Sequence, residues 1–351
     1  MRAALLAGSA ALVLCLAATQ IEGIALETVA HSAGQWAERA RRVPAVVTGE
    51  VGHASLALGD GKIGRHAARA RQLESIALDE GPVVAIAERE GELVLGTFDH
   101  GAWRVRGGAR PEIERIEMDE RINDLAFDAG GTLWAATAGG AWEIRPGEGA
   151  KRRAGGAFQA VAIWKGQAWF ASPRGLSVAD QDGFLTLGRD QGFPAESPTA
   201  LASCGRLLCA GALDGLWLWD GEHALRAGSD TGSLPADFVT AVATGPAGLW
   251  AGTFDAGLGR LAPDARRFAP IDGLQDGRVQ PHALVVGEDA AWAGTPAGLL
   301  EVRQDSAALV VDGLPTPEIT ALSPARAGGL WVGHQHGASR IVVEGMEEVQ
   351  L

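Results

Sequence analysis

The residues best suited to chemistry here are histidines and carboxylates, and two of the histidines lie one residue apart in GLWVGHQHGASR, residues 329–340. On a β-strand alternate side chains share a face, so His334 and His336 could offer two imidazoles to one metal ion. A tetrahedral centre needs further ligands, and no motif in the chain supplies them, which leaves His334 and His336 as weak metal candidates. Asp180 and Asp182 form a D-x-D-G step, but nothing downstream completes a calcium loop, so it reads as a turn. No H-E-x-x-H or G-x-S-x-G occurs, and no cysteine nucleophile stands beside a histidine. The many glycines form no G-x-x-x-x-G-K-[ST] phosphate loop, and no other cofactor motif is present, so no cofactor is expected.

Whether scattered His and Asp residues can act together depends on the elements that carry them, and the chain repeats itself. ELVLGTFDHGAWRV (92–105), TLWAATAGGAWEI (132–144), QAWFASPRGLSV (167–178) and LLCAGALDGLWLW (207–219) share one pattern. It continues in GLWAGTFDAGLGRL (248–261), AAWAGTPAGLLEV (290–302) and GLWVGHQHGASRI (329–341), with a looser copy in SLALGDGKIGRH (55–66). The anchor positions Ala57, Val94, Trp134, Trp169, Cys209, Trp250, Trp292 and Trp331 recur about every 40 residues, the length of one four-stranded propeller blade. In the clearest unit, 238–245, 249–253, 258–262 and 265–271 read as four short strands separated by Gly, Pro and Asp turns. The expected fold is therefore an all-β propeller of four-stranded blades, with seven clear repeats and a weaker N-terminal eighth. The weak copy either forms a blade or lends an outer strand that closes the ring. The periodic tryptophans are expected to fill the wedges between blades, and the glycine near the end of each second strand to permit close approach of a neighbour.

These units resemble the two-component regulator propeller repeat, a bacterial β-propeller family. The resemblance rests on GLPTPEITALSPARAGGLWVG (313–333) and SLPADFVTAVATGPAGLWAGTFDAGL (233–258), with partial matches in GFPAESPTALAS and DGLQDGRVQPHALVVG, and it covers residues 45–351. It is specific for architecture and says little about chemistry. Relatives carrying the repeat typically use it as the sensory part of a membrane receptor with a kinase or cyclase behind it. No second apolar span and no kinase motif occurs in these 351 residues, so signalling is expected to pass through a separate partner.

Antiparallel order places two sets of loops on one face of the disc: those between second and third strands, and those joining one blade to the next. The first set carries Phe98, Asp99, His100, Arg174, Asp214, Phe254, Asp255, His334, Gln335 and His336, the candidate ligand-binding residues. The second set adds Phe193, Pro235, Asp272 and Asp312. The function expected is a non-catalytic, sensor-like module that binds a small molecule, a glycan or an envelope protein through this face. The alternative is a propeller enzyme, a lyase or hydrolase resembling the streptogramin lyases, with His100, His282, His334 and His336 as its pool of bases; no specific catalytic residue carries over.

Composition sets the compartment and excludes some partners. The net charge of −13 argues against nucleic acid and anionic membrane as partners, since both require a basic face. Residues 1–18 read as a signal peptide: Arg2, an apolar run from Ala3 to Leu16, then small residues at Ala17 and Ala18. If uncleaved, the run would anchor the protein in a membrane. Residues 19–42 read as a leader with helical character and 43–351 as a single propeller domain, monomeric and periplasmic or secreted. In that oxidising setting Cys204 and Cys209, flanking a tight turn, form either a cross-hairpin disulfide or two buried thiols.

Overall fold

The computed structural model describes residues 56–57 and 63–349, apart from the short segments 58–62, 108–110, 119–120, 181–182, 190–191, 231–233, 247, 262–268, 272–277, 289 and 304–305. The expected signal peptide and leader lie outside the described residues.

Seven antiparallel sheets are arranged as the blades of a propeller. Blade 1 contains β3 (Val83–Arg89), β4 (Glu92–Thr97), β5 (Ala102–Arg106) and β6 (Glu112–Ile116). Blade 2 contains β7 (Ile122–Phe127) to β10 (Ala150–Gly155), blade 3 β11 (Ala160–Trp164) to β14 (Gly183–Leu187), and blade 4 β15 (Ala200–Cys204) to β18 (Ala224–Ala227). Blade 5 runs from β19 (Val239–Gly245) to β22 (Ala269–Ile271), and blade 6 from β23 (Leu284–Val286) to β26 (Ser306–Val310). The first strand of each blade is innermost and lies against the first strand of the next, with β27 (Ala321–Pro324) against β3 completing the circle.

Blade 7 is assembled from both ends of the described chain. β27, β28 (Leu330–His334) and the long β29 (Gly337–Val349) come from the C-terminal part, and β2 (Ile63–Ala77) pairs antiparallel with β29 as its outer strand. β1 (Leu56–Ala57) adds a short fifth strand outside β2. Of the two roles open to the weak eighth repeat, the structure assigns ring closure; the blades number seven.

The strand sequences follow from this stacking. A second strand is covered on both faces by neighbouring blades, so Leu133–Thr137 and Leu207–Ala212 are buried at every position and read as unbroken apolar runs. An outer strand meets solvent, and Glu112–Ile116 is exposed at all but its last residue. Seven apolar clusters result, one at each blade-to-blade interface. Trp134, Trp169, Trp250 and Trp331 belong to them, as the packing reading expected. The close-approach reading of the glycines holds as well. A Cβ on Gly96 would come within 2.5 Å of Ile122 in the next blade, and one on Gly333 within 2.6 Å of the Val83 carbonyl. Phe193, expected on the loop face, is instead buried in the cluster between blades 3 and 4, against Trp217 and Trp219.

Cys204 and Cys209 are joined by a disulfide across the hairpin of β15 and β16 (Leu207–Ala212), with a Cα–Cα distance of 6.0 Å in the usual range for the bond.

Candidate functional site

Innermost strands have no neighbour on the channel side, so their outer N–H and C=O groups need other partners. In four of the blades one side chain supplies such a partner. Val84, Asn123, Gln159, Thr199, Thr240, Gln280 and Thr320 occupy the same position at the start of each innermost strand, and all seven line a cavity of about 440 Å³ at one mouth of the channel. The Asn123 amide donates to the Phe158 carbonyl at 2.7 Å, Thr199 to Val239 at 2.9 Å, Thr240 to Val279 at 2.8 Å, and Thr320 to Val83. Each bond runs from one blade to the next, so the ring that forms the cavity also stitches the blades together.

Around this cup stand Phe98 and Gln335 from the loops between second and third strands, with Arg121, Phe238 and Glu318 from the connections between blades. The two loop sets therefore meet on one face, as the strand order requires. The Arg121 guanidinium lies 3.7 Å above the Phe98 ring, and Phe238 stacks on Phe254 at 5.1 Å with 14° between planes. The Gln280 and Gln335 amides donate to the two Glu318 carboxylate oxygens at 3.4 and 3.3 Å.

Two departures from the repeat meet at the floor. Ala85, Ala160, Ala200, Ala241, Ala283 and Ala321 follow the ring position or its equivalent in six blades, whereas blade 2 has Asp124. Blade 6 carries two extra residues, Pro281 and His282, between the ring residue Gln280 and Ala283, and His282 adopts φ of 58°. That left-handed conformation is uncommon outside glycine and lets the chain bulge from the strand. Blades 2 and 6 are on opposite sides of the ring, yet His282 Nδ1 lies 3.7 Å from Asp124 Oδ2, each side chain 15% exposed. The Asp124 carboxylate also accepts the N–H of Leu125 and of Val161, both at 2.8 Å. Burial pushes its pKa above the usual carboxylate range, opposed in turn by His282 and by the Val161 and Leu125 N–H groups.

The structure separates the sequence-predicted residues. Phe98 and Gln335 line the cup, and Phe254 supports it through Phe238. Asp99, Arg174 and Asp255 are exposed outside the lining, and His100 is turned to the Glu80 carbonyl at 3.2 Å. Asp214 accepts bonds from the Trp217 indole at 2.9 Å and from the Glu196 N–H at 3.2 Å, which makes it a loop brace.

His334 answers the H-x-H question. In the sibling blades Thr97, Thr137, Ser172, Thr253 and Thr295 close the same corner: each hydroxyl donates to a carbonyl three or four residues on and accepts an N–H from the turn. His334 holds the corner with a ring, its Nδ1 accepting the His336 N–H at 3.2 Å as the hydroxyls accept theirs, and its Nε2 meeting Ser339 Oγ at 3.1 Å in place of a carbonyl. Burial, with His336 nearby, lowers its pKa. Both ring nitrogens are engaged, and His336 points to solvent. Among the described residues no three His, Cys, Asp or Glu side chains gather as a metal cluster.

Sequence reasoning named His282 as a possible base and missed Asp124, Glu318 and the ring. The signal for Asp124 was present: aligned on the second strands, it is the one carboxylate in a column of alanines.

No protein-family model matches the chain, and no curated protein matches it in sequence. Solved structures do. The extracellular domain assigned to a hybrid two-component system of B. thetaiotaomicron superposes with a TM-score of 0.63 at 13% identity over 78% of this chain and 42% of that one. A second such domain from the same organism gives 0.62 at 15% over 77% and 39%. The chain thus spans about two fifths of their length. A streptogramin B lyase gives 0.62 at 12% identity, over 80% of this chain and 98% of the enzyme. At such identities these likenesses establish the propeller fold, which both sensor domains and a lyase share.

Proposed function

We propose that this protein is an exported, sensor-like propeller that binds a small polar ligand in the channel cup. One observation carries the reading: every blade contributes a side chain at the same position to a single cavity of about 440 Å³, a volume suited to a small molecule. Polar side chains form its floor and Phe98 and Phe238 its apolar wall, the usual division between orientation and affinity. Export is supported by the apolar N-terminal run, by the Cys204–Cys209 disulfide and by the extracellular setting of the two B. thetaiotaomicron domains. Occupancy of the cup would be read by a separate envelope partner.

The test is a binding screen by thermal shift and calorimetry, using small amines, carboxylates, sugars and amino acids. Gln159→Trp places a large side chain in the cup at the position just before β11, where the backbone has no positive φ, whereas Asp99→Ala and Asp255→Ala alter loops outside it. Binding abolished by Gln159→Trp and unchanged in the two loop variants is the expected result. Binding that survives Gln159→Trp, or no binding by any compound, overturns the reading.

A second reading, the propeller enzyme, is favoured by one observation: His282 lines the cup with Asp124 behind its Nδ1, an arrangement that can orient an imidazole as a base. It requires turnover of a bound compound that His282→Ala abolishes while binding persists.

A further inference from the structure

We infer that the cup selects a small organic ammonium, held between Glu318 and the Nε2 of His282. The inference rests on the binding reading above and comes from counting which hydrogen-bonding groups the cup has left to offer.

A hydroxyl has one proton to donate and two acceptor sites. Thr199, Thr240 and Thr320 all spend that proton on carbonyls of the next blade, so toward the cavity they are acceptors. Asn123 commits an N–H to Phe158, leaving its carbonyl oxygen uncommitted in the described bonds. Gln280 and Gln335 each commit an N–H to Glu318. The blade-to-blade stitching thus consumes the hydroxyl protons, while the amides of Asn123, Gln280 and Gln335 each keep one N–H beside a carbonyl oxygen. A ring that carries its single proton on Nδ1, the nitrogen 3.7 Å from the Asp124 carboxylate, presents Nε2 as one more acceptor. The hydroxyls, Nε2 and the Glu318 carboxylate call for a ligand that brings donors, and an ammonium brings three.

The charges are arranged to suit. Glu318, on blade 7, is steered into the cup by Gln280 and Gln335 on either side, and Gln280 lies two residues from His282. The carboxylate thus stands on the blade 6–7 side of the cup, and the imidazole, which blade 6 carries, extends from that side to Asp124 on blade 2. Phe98 and Phe238 supply aromatic surface elsewhere in the lining, and ring faces attract cations. Of the other charged groups near the cup, Asp124 lies behind His282, Arg121 is stacked on Phe98 two blades round from Glu318, and Arg278 lies over Phe254. Arg121 would disfavour an ammonium in its own sector and so fixes the ligand's orientation. The net charge of −13 favours the approach of cations over anions.

Calorimetric titration of the intact protein with ethanolamine, putrescine and glucosamine, against acetate, succinate and glucose as matched controls, tests the inference at pH 7.5. Amines should bind, with affinity about tenfold or more lower in Glu318→Gln, the loss expected for one charge-assisted hydrogen bond. Amine binding should weaken as well in His282→Leu, which offers no acceptor at this position. Thermal unfolding of both variants checks that they fold. Preference for carboxylates or glucose, lost in Gln159→Trp, would overturn the ammonium inference and leave the binding reading standing. Amine binding indifferent to Glu318→Gln overturns the inference as well. Absence of binding by every compound removes both.

Discussion

At the scale of single residues, position in the repeat predicts role better than residue type does. His334 is an imidazole in the place of a threonine, and it performs the threonine's task at the hairpin corner. Its buried ring makes that solution dependent on pH. An unfolded histidine takes up a proton as pH falls through its ordinary value of 6.5, whereas His334 in the fold resists until lower pH. Below 6.5 the unfolded state therefore binds more protons, and stability declines as pH drops. His334→Thr should remove this contribution, so that the difference in unfolding free energy between variant and parent grows in the variant's favour from pH 7 downward. The slope is at most about 1.4 kcal/mol per pH unit, and denaturant melts at several pH values measure it. Asp124 and His282 show the converse: their types were unremarkable in the sequence, and what marks them is departure from their siblings.

At the scale of elements, the second strand sets the spacing between blades. Gly333 faces the Val83 carbonyl of the next blade so closely that a methyl group would overlap backbone, which cannot rotate away. Gly333→Ala should therefore cost about 1–3 kcal/mol, the range for overpacking a close contact. Gly149, with open space around its Cβ position, should accept alanine within about 0.5 kcal/mol. Equal effects in chemical denaturation would refute the close-approach account. Element boundaries were largely legible: the first three strands read in the unit 238–271 fall within a residue or so of Val239–Gly245, Gly248–Thr253 and Leu258–Leu261, and the fourth includes Ala269–Ile271, its described part. Turn residues and apolar runs are local signals, so they survive in the sequence. The two-residue bulge at Pro281–His282 did not stand out, because in the linear chain it is only a slightly longer repeat.

At the scale of the whole molecule, closure joins residues far apart in the chain. β2 pairs with β29 from Ala77 opposite Gly337 outward, so the last blade is complete only when both ends of the described chain meet. Deleting the chain through Ala77 exposes the β29 edge and the apolar cluster that Ala68 and Ala70 help to cover. The melting temperature should fall by about 10 °C or more, and a peptide spanning 63–77, added in trans, should recover part of it. Unchanged melting after the deletion would show that β2 does not close the ring.

What the sequence determined by itself is what repeats: the blade, its strands, the tryptophan wedges, the close-packed glycines and the face on which loops gather. Periodicity carries these because each blade meets the same local packing problem and solves it with the same residue types. What only the tertiary structure decided is what the ring brings together. Seven blades rather than eight, the stitching of Asn123, Thr199, Thr240 and Thr320 onto neighbouring blades, and the meeting of Asp124 with His282 all depend on closure around an axis. Contacts across that axis join residues more than 150 positions apart, and no short-range pattern records them.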